Sequence, residues 1–166
     1  MQSDLTTLFL AHSTSKLRQM CGHIETCLVR LNDDQIWSRR AAHENSIGNL
    51  VLHLCGNARQ WICAGIGGEK DVRNRDGEFS VRGGLSGSDL IAHLKQTVEQ
   101  ATATLAGVTA DRLLDEINPQ TGTVSVLEAI YQVVGHFQQH TGQIVFATKI
   151  LAGEDLDLYR PTAASK

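Results

Sequence analysis

Proline is nearly absent from this chain. Only Pro119 and Pro161 occur in 166 residues, and proline breaks a helix interior because it lacks a backbone donor and clashes with the preceding turn. The long stretches without it are therefore free to be helical. Within them apolar residues recur every three or four positions, the period of a helix with one buried side. Four helices are predicted. The first runs from about Asp4 to Leu31 and carries Leu5, Leu8, Phe9, Leu17, Met20, Ile24, Leu28 and Leu31. The second opens at Asn45 or Ser46, both good N-cap residues, carries Ile47, Leu50, Val51, Leu54, Ala58, Trp61 and Ile62, and stops at the GIGG of residues 65–68. The third begins near Ser88 and Asp89, with Leu90, Leu94, Val98, Ala101 and Leu105 on one side. The fourth begins near Ser125, where Ser125 and Glu128 make a capping-box pattern, and runs through Ile130, Val134, Phe137 and Ile144 to Leu151, with Gly153 as its stop.

No strand-like alternation of comparable length is found, and no repeat or second domain. The expected fold is all-α, a four-helix bundle formed by residues 1–166 as one domain. Residues 69–87, EKDVRNRDGEFSVRGGLSG, form the one long polar connection. A loop of that length within a domain is usually functional or disordered.

Composition excludes several classes. A net charge of −3 provides no basic surface for nucleic acid or anionic lipid. No stretch approaches the roughly 18 apolar residues needed to span a bilayer. Asp4 and neighbouring polar residues break the short apolar run at the N-terminus, so no secretory signal is legible. Cys21, Cys27, Cys55 and Cys63 lack CxxC spacing and read as reduced thiols of a cytoplasmic protein.

Histidine placement carries the chemistry. In GHFQQHTGQIVF, His136 and His140 stand four residues apart on a helix that is otherwise packed, about 40° from each other around its axis. A buried ring nitrogen left unpaired costs on the order of 1–3 kcal/mol. A shared metal ion would resolve that cost for both rings. Gln143 falls on the same line, and the second helix offers His53 at the edge of its apolar side, with Asn57 one turn further. The competing reading is of helix-face histidines satisfied by ordinary hydrogen bonds.

Three segments, SIGNLVLHLCGNARQWI, DVRNRDGEF and HFQQHTGQIVFATKIL, together resemble the DinB-like superfamily of the YfiT-like type, and most of all a bacterial branch of unassigned activity with a similar arginine-rich loop. The resemblance spans nearly the whole chain. It implies a four-helix bundle whose divalent metal is held by one histidine of the second helix and an HxxxH pair of the fourth, here His53, His136 and His140. Some relatives are thiol-dependent transferases or isomerases, and many have no known activity.

Three imidazoles suit zinc or nickel, held at roughly 2.0–2.1 Å, and leave at least one position open. At such a position a water is acidified, or a substrate thiol binds as thiolate. The expected function is that of a metal-dependent enzyme, a thiol-dependent transferase or a hydrolase acting on a small molecule, with a low-molecular-weight thiol as the candidate partner. The alternative is a non-catalytic stress-response module with a structural or vestigial site. Asn57 and Gln143 are candidates for supporting the ligands or touching substrate. Arg73 and Arg75 would receive an anionic group, or else pair with Asp76 and Glu78 to hold residues 71–79. His12, beside Leu5, Leu8 and Phe9, is expected to approach the core as a satisfied histidine. A homodimer is expected too, because Leu10, Leu17, Met20, Ile24, Cys27 and Leu28 spread over more of the first helix than one buried stripe. Each chain would then hold its own metal site.

Overall fold

The structure, a computed structural model, describes residues 2–158. Four long helices form the bundle: α1 (Gln2–Leu28), α3 (Ile47–Ala58), α5 (Gly87–Ala106) and α6 (Val126–Ala152). Two short ones, α2 (Asp33–Trp37) and α4 (Arg75–Ser80), lie in the connections. α1 packs on α6 and α5, and α3 packs on the same two helices, so α1 and α3 face each other across a diagonal. The first two long helices are therefore consecutive without being neighbours, whereas α3 and α5 pair directly.

The predicted periodicities fill the core. Leu17, Ile24 and Leu28 of α1, Val51 and Leu54 of α3, Leu90, Leu94 and Leu105 of α5, and Ile130, Phe137 and Ile144 of α6 are all essentially inaccessible to solvent. Each such side chain contributes about 1.5–3 kcal/mol relative to exposure. The helix starts are set by reciprocal caps, in which the Ser46, Ser86 and Ser125 side chains accept from the backbone of Asn49, Asp89 and Glu128 while those residues bond back. Caps of this kind are worth about 1 kcal/mol each. Gly153 ends α6 in the left-handed region, at φ 70°.

Several expectations are corrected. α1 ends at Leu28, and Leu31 is buried beyond it as part of a turn. Leu5 and Leu8 are exposed, and His12 lies on the surface with them rather than near the core, because the side of α1 that faces the bundle there carries the buried Thr6 and Ser13, in line with Leu17, and Leu5, Leu8 and His12 point away from it. Leu17, Met20, Ile24, Cys27 and Leu28 are all buried within the single chain, so the broad arc of α1 is covered by α5 and α6. Beyond Ala58 the second helix continues as a wider π-type turn over Arg59–Ala64. A short antiparallel hairpin, β1 (Glu116–Gln120) and β2 (Gly122–Ser125), leads into α6. With Pro119 inside it and a glycine turn at φ 92°, it is too short to show alternation. The expected long loop is largely built: residues 69–74 have no regular structure but are tied, through the Arg73 bond to Gln60, to the π-type turn that extends α3, and α4 follows, capped by Asn74.

Candidate metal centre

The Ser125 cap fixes where α6 begins, and with it the phase that turns His136 and His140 toward α3. Their Nε2 atoms lie 3.0 Å apart. One turn further, Gln143 Oε1 accepts the Nδ1 proton of His140 at 2.6 Å. From α3, His53 presents its own Nε2 3.0 Å from His136 Nε2. His53 is only 7% exposed, and Phe79 covers one side of its ring at a centroid separation of 4.6 Å.

The far side of His53 is held by the connection that the sequence marks as a loop. Glu78 Oε2 accepts from His53 Nδ1 at 2.8 Å. Arg73 donates to the same carboxylate through Nε to Oε1 at 2.8 Å and Nη2 to Oε2 at 3.0 Å, and its Nη1 donates to Gln60 Oε1 at 2.9 Å. Gln60 in turn donates to Asp71, which also accepts the Arg73 backbone proton. Asn49, one turn before His53, is fully buried and donates its amide to the backbone oxygens of Glu78 (2.8 Å) and Val81 (3.0 Å), tying α4 to α3. Gly56 makes room for all this: a methyl group there would fall on Glu78 Oε1. In mid-helix a glycine costs about 1 kcal/mol relative to alanine, so its presence here marks close approach.

These bonds fix tautomers. A carboxylate can only accept, so Nδ1 of His53 carries the proton and its Nε2 is left as a lone pair. The Gln143 carbonyl oxygen does the same for His140. His136 Nε2 sits 3.0 Å from both of those lone pairs and, carrying at most one proton, can satisfy only one of them. Its own Nδ1 is buried without a hydrogen-bond partner among the described residues. Protonating the cluster is no remedy, since burial, followed by the neighbouring charges of His140, His53 and Arg73, pushes His136 down to about 3. Burial lowers His140 as well, against the opposing bond to Gln143. One cation resolves all three nitrogens at once, and ligands about 2.0–2.1 Å from a shared ion stand about 3 Å from one another. The three side chains fit a divalent metal.

Burial works against ionisation of Glu78, but the hydrogen bonds from His53 and Arg73 and the guanidinium charge outweigh it and hold the carboxyl below its usual range. The pair brings no net charge to the centre, because Arg73 neutralises Glu78.

Residues 4–160 match the family described as "Protein of unknown function (DUF1572)", a DinB-like family. The chain belongs to it. Solved structures agree at the level of fold. A DinB-like protein of Bacillus subtilis, YjoA, is 17% identical, with 91% of this chain and 99% of that one covered and a TM-score of 0.68. A conserved protein of Enterococcus faecalis is 16% identical over 87% of this chain and 97% of that one, with a TM-score of 0.71. A substituted form of the mycothiol-dependent maleylpyruvate isomerase is 16% identical over 81% of this chain and 60% of that one, with a TM-score of 0.64. No curated protein matches the chain.

In this DinB-like bundle the three histidines singled out in the sequence come together. Gln143 is spent on His140, and Arg73 on Glu78 and Gln60. Arg75 lies outside the cluster, its guanidinium over the Phe79 ring at 5.3 Å. Asn57 is buried one turn beyond His53 and bonds to none of the three histidines; its Oδ1 has no partner among the described residues. Asn49, Gln60 and Gly56 are members that sequence reasoning missed; Glu78 is expected as a partner of the loop arginines, and is one for Arg73, but its bond to His53 was missed. Glu78 is visible in the sequence only as an acid beside arginines, and Gly56 only as a glycine inside a helix.

Proposed function

We propose that the protein is a metal-dependent enzyme whose divalent ion, zinc or nickel, is held by His53, His136 and His140, and that it uses a low-molecular-weight thiol as a co-substrate in a transfer or isomerisation. The observation that carries the reading is the convergence of three imidazole Nε2 atoms, two of them with their protons pinned away from the centre by Glu78 and Gln143. An ion with only three protein ligands offers an open coordination position at which a thiol is acidified or a carbonyl polarised. Around it the chain's own side chains orient and exclude. Glu78 keeps the proton on His53 Nδ1, Arg73 keeps Glu78 ionised, and Phe79 shields the His53 ring from water. The mycothiol dependence of one structural neighbour supports the thiol over water as the bound nucleophile. Structural zinc sites are usually closed by four protein ligands. Among the described residues the three histidines are grouped without a fourth acid or thiol, which speaks against a purely structural ion.

The four cysteines are free and buried, which suits a reducing cytoplasm. No helix among the described residues is long and apolar enough to cross a membrane. The outer side of α6 exposes Leu127, Tyr131, Phe146 and Ile150, an apolar surface suited to a homodimer that leaves one site in each chain.

Cobalt substitution tests the function. Addition of a small thiol to the cobalt-loaded protein is expected to produce a sulfur-to-metal absorption band that saturates at one thiol per chain. A cobalt spectrum indifferent to thiols would overturn the thiol reading.

A further inference from the structure

The stripe of α6 that carries His136 and His140 does not end at Gln143. Ala147 lies seven residues beyond His140, two helical turns or about 10 Å along the axis on the same side. There the surface opens into a cavity of about 350 Å³ between the end of α6 and the segment that precedes α3. Ala147, Ile150 and Leu151 form an apolar wall, and Arg39 and Arg40 stand opposite, next to Ile47 at the start of α3.

The two arginines are not equivalent. Arg39 is fastened to the frame that carries the histidines: its Nη2 donates to the backbone oxygen of Phe79 at 2.9 Å and also to Asn49 Oδ1. Phe79 packs on the His53 ring, and Asn49 lies one turn before His53, so the position of Arg39 is rigidly related to the centre. Its Nε is buried yet has no hydrogen-bond partner among the described residues, an uncompensated donor of the kind that costs free energy. The Arg40 guanidinium makes no ion pair or hydrogen bond among those residues; only its backbone nitrogen bonds, to Glu44 Oε2 at 2.8 Å. Glu44 is the one acid lining the cavity, against two guanidinium groups. A guanidinium presents a planar fork of donors that matches a carboxylate.

We propose that this cavity is the subsite for a carboxylate at the far end of the small molecule whose reacting group sits at the three histidines. The molecule is then an acid with a largely apolar spacer along α6. An extended chain advances about 3.3–3.6 Å per three bonds, so about eight or nine bonds span the gap. This assignment rests on the metal-centre reading for the position of the reacting end, and on the cavity itself for the anion.

The test uses a series of ω-mercaptoalkanoates, from two to ten carbons, and their methyl esters as probes of the cobalt-loaded protein, with affinity read from the absorption change. Near eight carbons the free acid is expected to bind about tenfold more tightly than its ester, a difference within the range of one charge-assisted hydrogen bond. The preference should vanish at two carbons, and in Arg40→Gln, whose side chain is exposed and supports no other part of the fold. Equal binding of acid and ester at every length, or a preference that survives Arg40→Gln, would overturn the subsite. Should no thiol perturb the cobalt spectrum, the thiol reading fails by itself, and the subsite is then judged with octanoate and the metal-free protein. Saturable amide shifts at Ala147 and Ile150, weakened about tenfold by Arg40→Gln, sustain it; absence of such shifts overturns it.

Discussion

The two walls of the candidate centre are built in different ways. On α6, His136, His140 and Gln143 fall within eight residues of one helix, and their mutual placement follows from its pitch once Ser125 has fixed its start. On the opposite wall His53 is aimed by Glu78, Arg73, Gln60 and Asn49, drawn from α3, the π-type turn and the segment ending in α4. The first wall is local and cheap to form. The second depends on tertiary contacts among charged and amide groups that must all be satisfied together, because a buried network with one missing member is worse than none. Substitution of the two α6 histidines should therefore remove the centre, whereas substitutions behind His53 should detune it.

The largest effect is expected from the α6 wall. His136→Ala combined with His140→Ala should abolish uptake of a divalent ion, measured as metal content per chain after loading and dialysis, while helical circular dichroism is retained. Unchanged metal content would break the comparison at its root.

Among the residues that back the ligands, Glu78 behind His53 and Gln143 behind His140, the expected losses are graded. Glu78→Gln keeps the shape but removes the ionised acceptor, and loss of such a carboxylate partner typically costs about 10–100-fold in metal affinity. Gln143→Ala should cost less, only a few-fold, because His140 is partly exposed and water can accept its Nδ1 proton instead. Competitive titration against a metallochromic chelator measures both. Equal losses would mean that the two walls are not different in kind.

Gly56→Ala sharpens the point. The added methyl falls where Glu78 Oε1 now lies, and that carboxylate is held in place by Arg73 and His53. Metal affinity is expected to drop nearly as far as in Glu78→Gln. Helix propensity, by contrast, gains about 1 kcal/mol, so thermal stability of the metal-free protein should fall little. A large loss of stability with intact affinity would show that the glycine serves packing rather than the approach of Glu78.

The smallest effect concerns the thiols, which belong to neither wall. Burial pushes Cys55 up to about 12 and raises Cys21, Cys27 and Cys63 as well. A raised pKa leaves little thiolate at neutral pH, and the thiolate is the reactive form. Ellman's reagent should therefore label the native protein slowly up to about pH 9 and promptly after unfolding. Fast labelling of the native protein would contradict the packing of α1 and α3.

Legibility in the sequence follows the same division. The four long helices, their serine caps and the histidine pair are encoded by spacing within one segment, and the DinB-like resemblance adds His53. Glu78 is not legible as a partner of His53, because 25 residues separate them and only the packing of α4 on α3 brings them together. The neighbouring charges do suggest that Arg73 pairs with an acid of its own segment, and it does, but the purpose of that pair depends on which ring nitrogen Glu78 faces. The hairpin before α6 escapes because four or five residues are too few to display a period. The exposure of Leu5, Leu8 and His12 escapes because the buried side of α1 passes there through Thr6 and Ser13, so the apolar residues of that turn mark the wrong side.

The central claim is that three imidazole nitrogens share one ion and leave part of its coordination open. X-ray absorption at the metal edge of the zinc-loaded protein tests it most directly. Three histidine nitrogens are expected at about 2.0–2.1 Å, completed by one or two light atoms that a thiol replaces with a sulfur at about 2.3 Å. A shell of four protein ligands that no thiol alters, or zinc coordinated without histidine, would contradict it.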